Sequence, residues 1–282
     1  MSLRDITHKD FTAARRSRAL WAVATLLGLL TALIAFGYSG YRTGPEETVI
    51  QLFRTMGGMF GLLLPIVALV ASYMAIAGER ESGGVKFLLG LPNSRRDVFL
   101  GKLASRLGIV TAGLVFIFAT ATAMAVARNG ALPVGVVAGM FAVSLLYTSV
   151  FVAIAVALSA TVAERSRAIA AAVGSYFVLV LLYVIPGVNV ALLARFVHQT
   201  LLGFEPNFDL YNAVLFTSPL IAYRKAMNLV VPSGLEREVL QRPAEGYTPP
   251  GYLGDEMSLL VFAVWLAVPL AIGYWRFEGA DL

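Results

Sequence analysis

Gly78-Glu-Arg-Glu-Ser-Gly-Gly-Val-Lys-Phe-Leu-Leu-Gly-Leu-Pro-Asn-Ser-Arg-Arg-Asp-Val-Phe-Leu-Gly-Lys102 separates two long apolar runs, 56–77 and 107–127. It is too charged for a bilayer interior and too patterned for a plain linker. Glu79, Arg80 and Glu81 follow an apolar run directly, which predicts a helix carried on into water. An apolar patch (Val85, Phe87, Leu88, Leu89, Leu91) comes next, then the break Pro92-Asn93-Ser94, then a basic restart at Arg95. Asn93 or Ser94 can cap that restart, because a short side-chain oxygen accepts from the free N–H groups of a first turn. The pattern predicts a small amphipathic elbow at the membrane face, with an apolar side suited to pressing on another protein.

Outward from the elbow, apolar runs dominate. Hydrophobic residues make up 58% of the chain and charged ones 14%, a balance that a water-soluble globule does not sustain. Six charge-free segments, 19–37, 56–77, 107–127, 132–163, 168–186 and 257–275, are long enough to cross a hydrocarbon core of about 30 Å at about 1.5 Å per residue. An even number places both termini on one side. Lys and Arg resist translocation near a span and so choose that side. Fourteen of the 22 fall in 1–18, 79–106, 164–167 and the tail. The expectation is a multi-pass protein of the cell membrane, with both termini cytoplasmic and 187–256 outside. The net charge of +5 follows from this asymmetry and does not call for a nucleic-acid partner. The first apolar run is too long for a cleaved leader and reads as an anchor. The absence of cysteine excludes disulfides and thiolate metal sites.

Between the runs, residues 1–18 mix Leu3, Ile6, Phe11 and Ala14 with Arg4, Lys9, Arg15, Arg16 and Arg18, which reads as a helix lying along the inner interface, the alternative being a solvated basic tail. Residues 38–55, with Glu46 and Glu47, read as a short outer loop. The run 132–163 exceeds what a perpendicular span needs, and Pro133 suits its first turn. In 187–256, Val188, Leu192, Leu193, Phe196, Val197 and Leu201 recur at helical spacing, as an interfacial or re-entrant helix would require. A second amphipathic stretch, 210–231, has too many polar residues and breaks for a seventh span. Residues 232–254, rich in Pro, Gly and charge, read as an exposed loop.

Motifs of soluble enzymes are missing. There is no phosphate-binding Gly-x-x-x-x-Gly-Lys-Ser/Thr sequence, and His8 and His198 belong to no His-Glu-x-x-His pattern. The spans offer no paired acid, histidine cluster or nucleophile with its base, which argues against an intramembrane enzyme. They also lack ionisable side chains, which argues against an ion-driven carrier. Gly57 and Gly61, and Gly135 and Gly139, are spaced for close helix approach. Pro65 and Pro269 read as structural kinks whose freed carbonyls neighbouring helices can satisfy.

The elbow resembles that of the membrane subunits of ABC type-2 exporters, in which Glu-Arg-Glu-x-Gly, an apolar run, Pro-x-Ser-Arg and Gly-Lys follow the second span. Here these parts are Glu79-Arg80-Glu81-Ser82-Gly83, Phe87-Leu88-Leu89, Pro92-Asn93-Ser94-Arg95 and Gly101-Lys102. Gly84-Val85-Lys86 stands where that family often has a threonine-leucine pair. The resemblance implies an all-α integral membrane protein of the ABC type-2 exporter fold: six transmembrane helices in one domain, an N-terminal interfacial helix, a cytoplasmic coupling helix within 78–106 and an extracellular re-entrant region. It also implies a non-catalytic permease, paired with a second permease chain and two ABC ATPase subunits that hold the ATP and magnesium. Glu79, Arg80, Glu81, Gly84, Phe87, Leu88, Pro92, Ser94, Arg95 and Lys102 would then contact the ATPase, and Glu164, Arg165 and Arg167 would form a smaller second contact. The alternative is a membrane subunit of a metal-delivery or maturation complex. The segment Ser218-Pro219 to Arg224 is loosely similar to the related permeases that serve nitrous-oxide reductase assembly.

Overall fold

A computed structural model describes residues 7–12, 18–38, 44–84, 94–185, 189–241 and 247–280. These residues are helical with connecting turns and loops, and no strand occurs among them. After an N-terminal helical turn at 7–12, the helices are α1 (Arg18–Gly37), α2 (Pro45–Ser72), α3 (Ala77–Glu81), α4 (Arg95–Asn129), α5 (Val134–Thr161), α6 (Arg165–Leu179), α7 (Val190–Arg195), α8 (Phe208–Phe216), α9 (Pro219–Asn228) and α10 (Met257–Glu278). A single wide π turn, Phe196–Leu201, continues α7. Five stretches are long and apolar enough to cross a membrane: α2 continued through α3, then α4, α5, α6 with its 3₁₀ extension, and α10. The apolar part of α1, Trp21–Gly37, is shorter.

The centre of the bundle is α5. Every residue from Val150 to Ala157 is buried, as expected of a helix that is apolar all round. Helices α2, α4, α9 and α10 pack about it, while α1 leans mainly on α4. At the crossing of α5 and α10 the backbones nearly touch: a Cβ on Gly273 would lie 2.6 Å from Ala157 Cα. The expected close approaches at Gly61 and Gly139 also appear, against Leu220 at 2.9 Å and Val230 at 2.8 Å from a built Cβ. Gly57 meets Met227 only at ordinary contact distance, and Gly135 meets nothing within 4 Å.

Two expectations are corrected. Most of 38–55 is helix rather than loop, because α2 starts at Pro45. Proline at the first helical position and Glu46 and Glu47 in the first turn favour a start there. The polar Gln51 and Arg54 interrupt the apolar count without interrupting the helix. The run 168–186 is likewise not one α-helix: α6 ends at Leu179, and the chain tightens into a 3₁₀ turn, Leu181–Tyr183. The Leu179 carbonyl accepts from the Ser218 hydroxyl at 2.9 Å instead of continuing the ladder.

The stretch 210–231 folds as α8 and α9, broken at Thr217-Ser218. Ser218 caps α9 by accepting from Leu220 N–H, and the indole N–H of Trp265 donates to Thr217 O at 2.8 Å. Apart from Arg224 and Asn228, the residues of α9 are buried. Its Lys225 pairs with Asp255 at 2.6 Å. Residues 232–241 have no helix, but asparagine side chains hold them: Asn228 exchanges two hydrogen bonds with the Arg237 backbone, and Asn212 does the same with Gln241.

Candidate functional site

The elbow begins where α2 ends. Residues 73–76 form a turn, and the N–H groups of Ile76 and Ala77 both donate to the buried hydroxyl oxygen of Ser159, at 3.0 and 2.9 Å. That one oxygen on α5 therefore fixes the start of α3, satisfying donors that a new helix leaves free. The short helix α3 ends at Ser82, and Gly83 turns the chain at φ 75°, a left-handed conformation that favours glycine. On the far side Ser94 is the N-cap of α4, one of the two residues expected. Its hydroxyl oxygen accepts from Asp97 N–H at 3.1 Å, and Asp97 accepts from Ser94 N–H at 3.1 Å. This reciprocal capping box holds the Asp97 carboxyl below its usual range, chiefly through the Ser94 hydrogen bonds.

Glu79, Arg80, Glu81, Arg95 and Lys102 bond to their own chain. Lys102, only 3% exposed, places its ammonium between Asp10 (2.7 Å) and Glu79. Arg106, one turn later, reaches Asp10 at 3.3 Å and donates to the Ala71 carbonyl at 3.1 Å. Burial by itself would raise the Asp10 carboxyl, but Arg106 and Lys102 together more than offset this and hold it below the usual range. Arg80 donates to the carbonyls of Ala160 and Val162, at 3.1 and 3.4 Å, at the end of α5. One nitrogen of Arg95 donates to the carbonyls of Phe277, Glu278 and Ala280, at 2.9, 2.8 and 2.7 Å, at the end of α10. Both arginines thus sit where a helix exposes unpaired carbonyls and negative dipole. Glu81 does the converse at the start of α6, accepting from Arg165 N–H at 2.8 Å, with the Arg165 guanidinium at 3.5 Å.

Of the residues expected to meet a partner, Glu79, Arg80, Arg95 and Lys102 are therefore brought together with helix ends and the N-terminal turn. Glu81, Ser94, Glu164, Arg165 and Arg167 remain exposed. Arg167 and Glu164 form a surface pair at 3.3 Å, a geometry that contributes little. Gly84 is half-buried. Phe87, Leu88 and Pro92 lie outside the described residues. Beside the elbow is an open recess of about 570 Å³ lined by Arg80, Thr161, Trp275 and Arg276 with residues 278–280.

Sequence reasoning missed Asp10, Arg106, Ser159 and Asp97. Only Asp97 left a signal, as the acid three residues after a cap. The arrangement is one of ion pairs and helix caps, and it ties the described ends of the elbow to several helices at once.

On the opposite side, His198 hydrogen-bonds through Nδ1 to the Tyr211 hydroxyl at 3.0 Å, and Gln199 donates to the same oxygen. Among the described residues no group of three or more His, Cys, Asp or Glu is placed to hold a metal.

A sequence model of the ABC-2 family transporter proteins matches residues 4–282. The chain is similar to a probable ABC transporter permease protein NosY of Pseudomonas aeruginosa, 30% identical over 274 residues that cover 95% of this chain and 92% of the relative. It is also similar to a probable ABC transporter permease protein NosY of Stutzerimonas stutzeri, 30% identical over 290 residues and 97% of each chain. With the elbow, the helical bundle and these matches together, the chain belongs to the ABC-2 family of transporter permeases.

Proposed function

We propose that two permease chains of this kind surround the path of an ATP-driven exporter, and that two separate ATPase chains seat on their elbows from the cytoplasm. The observation that carries this reading is the bonding of Glu79, Arg80, Arg95 and Lys102 to the N-terminal turn and to the ends of α5 and α10. A displacement of 82–94 by a partner is delivered to several helices together, rather than lost in a linker. Phe87 and Leu88 supply the apolar anchor of the contact, and Glu164, Arg165 and Arg167 its smaller second part. In this reading α1, α2, α4, α5, α6 and α10 are six spans of the cell membrane, and both termini are cytoplasmic. Helices α8 and α9 enter the bundle from outside; the packing of Leu220 on Gly61, near the middle of α2, supports that placement.

The test is coexpression with candidate ABC ATPases, followed by copurification and ATP hydrolysis in reconstituted vesicles. The expected result is a stable complex whose hydrolysis rises with transported substrate. Topology is checked separately with Glu46→Cys, Ser94→Cys and Glu245→Cys in this cysteine-free chain. An impermeant outside reagent should label the first and third only. Labelling of Ser94→Cys but not Glu245→Cys would overturn the orientation.

A second reading is favoured by the near full-length similarity to proteins named NosY: the chain serves a metal-delivery or enzyme-maturation complex such as that of nitrous-oxide reductase. Retention of an outer copper-handling protein by residues 187–256 would support it; export of a substrate without any such protein would exclude it.

A further inference from the structure

Because α1 leans on α4 and barely touches α2, a wedge is left open between α1 and α2. It holds a cavity of about 480 Å³ whose lining includes Trp21, Val67, Tyr73, Arg106, Gly113 and Phe116. Along α4 the lining runs from Arg106 to Ile117, which at the helical rise is about 16 Å. That is close to half of a hydrocarbon core of about 30 Å, the depth of one leaflet. Apart from Thr148, the walls are apolar except at one end, where Arg106 and Tyr73 stand near the elbow with Phe11 of the N-terminal turn. The cavity opens sideways: Trp21 is 55% and Val70 53% exposed. At the elbow end the Nε of Arg106 is buried without a hydrogen-bond partner.

We propose that this groove is a binding site for one acyl chain of an anionic phospholipid of the inner leaflet, with its phosphate at the level of Trp21, Tyr73 and Arg106. An apolar slot of leaflet depth matches an acyl chain in length and chemistry, and aromatic and basic side chains at its mouth match the headgroup layer. The α1–α2 wedge is then completed by lipid rather than by protein. The leaflet assignment rests on the orientation proposed above; the groove itself does not.

The test uses the purified full chain in nanodiscs containing phosphatidylglycerol with a mid-chain diazirine, with crosslinks mapped by mass spectrometry. Peptides holding residues 64–71 and 109–117 should be labelled several-fold more than those on the outward stripe of α10 around Leu260 and Val264. Gly113→Leu should cut groove labelling several-fold without lowering the melting temperature, because a Cβ at Gly113 meets nothing within 4 Å and glycine is a poor helix former. Gly135→Leu, equally open but on α5, should leave it unchanged. Groove labelling equal to that of α10 and indifferent to Gly113→Leu would overturn the site. Equal labelling by a phosphatidylcholine probe would overturn its anionic preference. A reversed result in the cysteine experiment would move the site to the other leaflet while leaving the labelling pattern intact, which separates failure of the orientation from failure of the groove.

Discussion

The hydroxyl of Tyr147 donates to the carbonyl of Gly61 at 2.7 Å, the carbonyl that Pro65 leaves without its helical N–H partner. Proline removes an i to i−4 bond, and in α2 the vacancy is filled from α5. Tyr176 of α6 adds a bond to the next carbonyl, Leu62, at 3.2 Å. The Tyr147 ring also stacks on Tyr223 of α9 at 4.3 Å, and the Tyr223 hydroxyl bonds Ser144 at 3.0 Å. The proline of α2 is thereby the point at which three helices are registered against one another.

Tyr147→Phe should destabilise the protein by about 1–3 kcal/mol, the cost of leaving a buried carbonyl unpaired, while keeping the ring and its stacking. Pro65→Ala restores the N–H, so the same Tyr147 change in that background should cost clearly less. Thermal unfolding in detergent of the two single variants and the double variant measures the coupling. Equal losses in both backgrounds would show that Tyr147 acts by packing alone.

Lys102 lies between Asp10 and Glu79, so Lys102→Met leaves Glu79 without its cation and Asp10 with Arg106 alone. A loss of about 2–3 kcal/mol is expected, short of the figure for a fully buried pair because Glu79 is about a third exposed. Arg96→Met, at an exposed position, should change stability little. The Asp10 carboxyl is held below its usual range, so its contribution is fully present above the unfolded value of about 3.9 and is lost as pH falls through the lower folded value. The stability difference between the native chain and Asp10→Asn should therefore be flat from neutral pH to about pH 4 and shrink only below that. A difference that vanished near pH 6 would contradict the pairing.

How much of this was readable beforehand differs from one residue to the next. Charge-free length is a one-dimensional property, so the long apolar helices were legible, as was the cap at Ser94, which depends on a few adjacent residues. Gly44-Pro45-Glu46-Glu47 signalled the true start of α2, but a count of apolar residues passes over it. The destination of Arg95, three carbonyls at the other end of the chain, leaves no local trace. Neither does Asp10, whose partners lie more than ninety positions away. An arginine in an exposed basic stretch has the same sequence signature whether it awaits a partner's acid or caps its own chain's helix.

That distinction bears on docking. If Arg95 is occupied by α10, the affinity for an ATPase rests on the apolar part of the elbow, and a desolvated aromatic anchor contributes several times what a rim charge does. Phe87→Ala should reduce complex recovery and substrate-stimulated hydrolysis more than Arg96→Ala does, and Phe87→Ala with Leu88→Ala more again. Arg95→Ala should lower the thermal stability of the isolated chain, a readout that a pure docking residue would leave unmoved. Normal assembly and transport by the Phe87, Leu88 double variant would remove the elbow from the coupling path.

The last prediction concerns the source of energy. A carrier driven by an ion binds that ion inside the membrane, almost always with a carboxylate or with carbonyls freed at a broken helix. In the long helices the carboxylates stand only in terminal turns: Glu46 and Glu47 of α2, Asp97 of α4 and Glu278 of α10. The broken-helix alternative was open at Pro65, but there the freed Gly61 carbonyl already accepts from Tyr147 and the next, Leu62, from Tyr176. The buried cation of α9, Lys225, is likewise neutralised by Asp255. Export should therefore require ATP on a partner chain and persist when the proton and sodium gradients are collapsed. Vesicles holding the permease with its ATPase would be assayed with ATP alone, with a gradient alone, and with ATP plus ionophores. The first and third should transport at equal rates and the second not at all, whereas transport driven by the gradient without ATP would show that an ion site exists elsewhere, with Pro269 of α10 the first place to look.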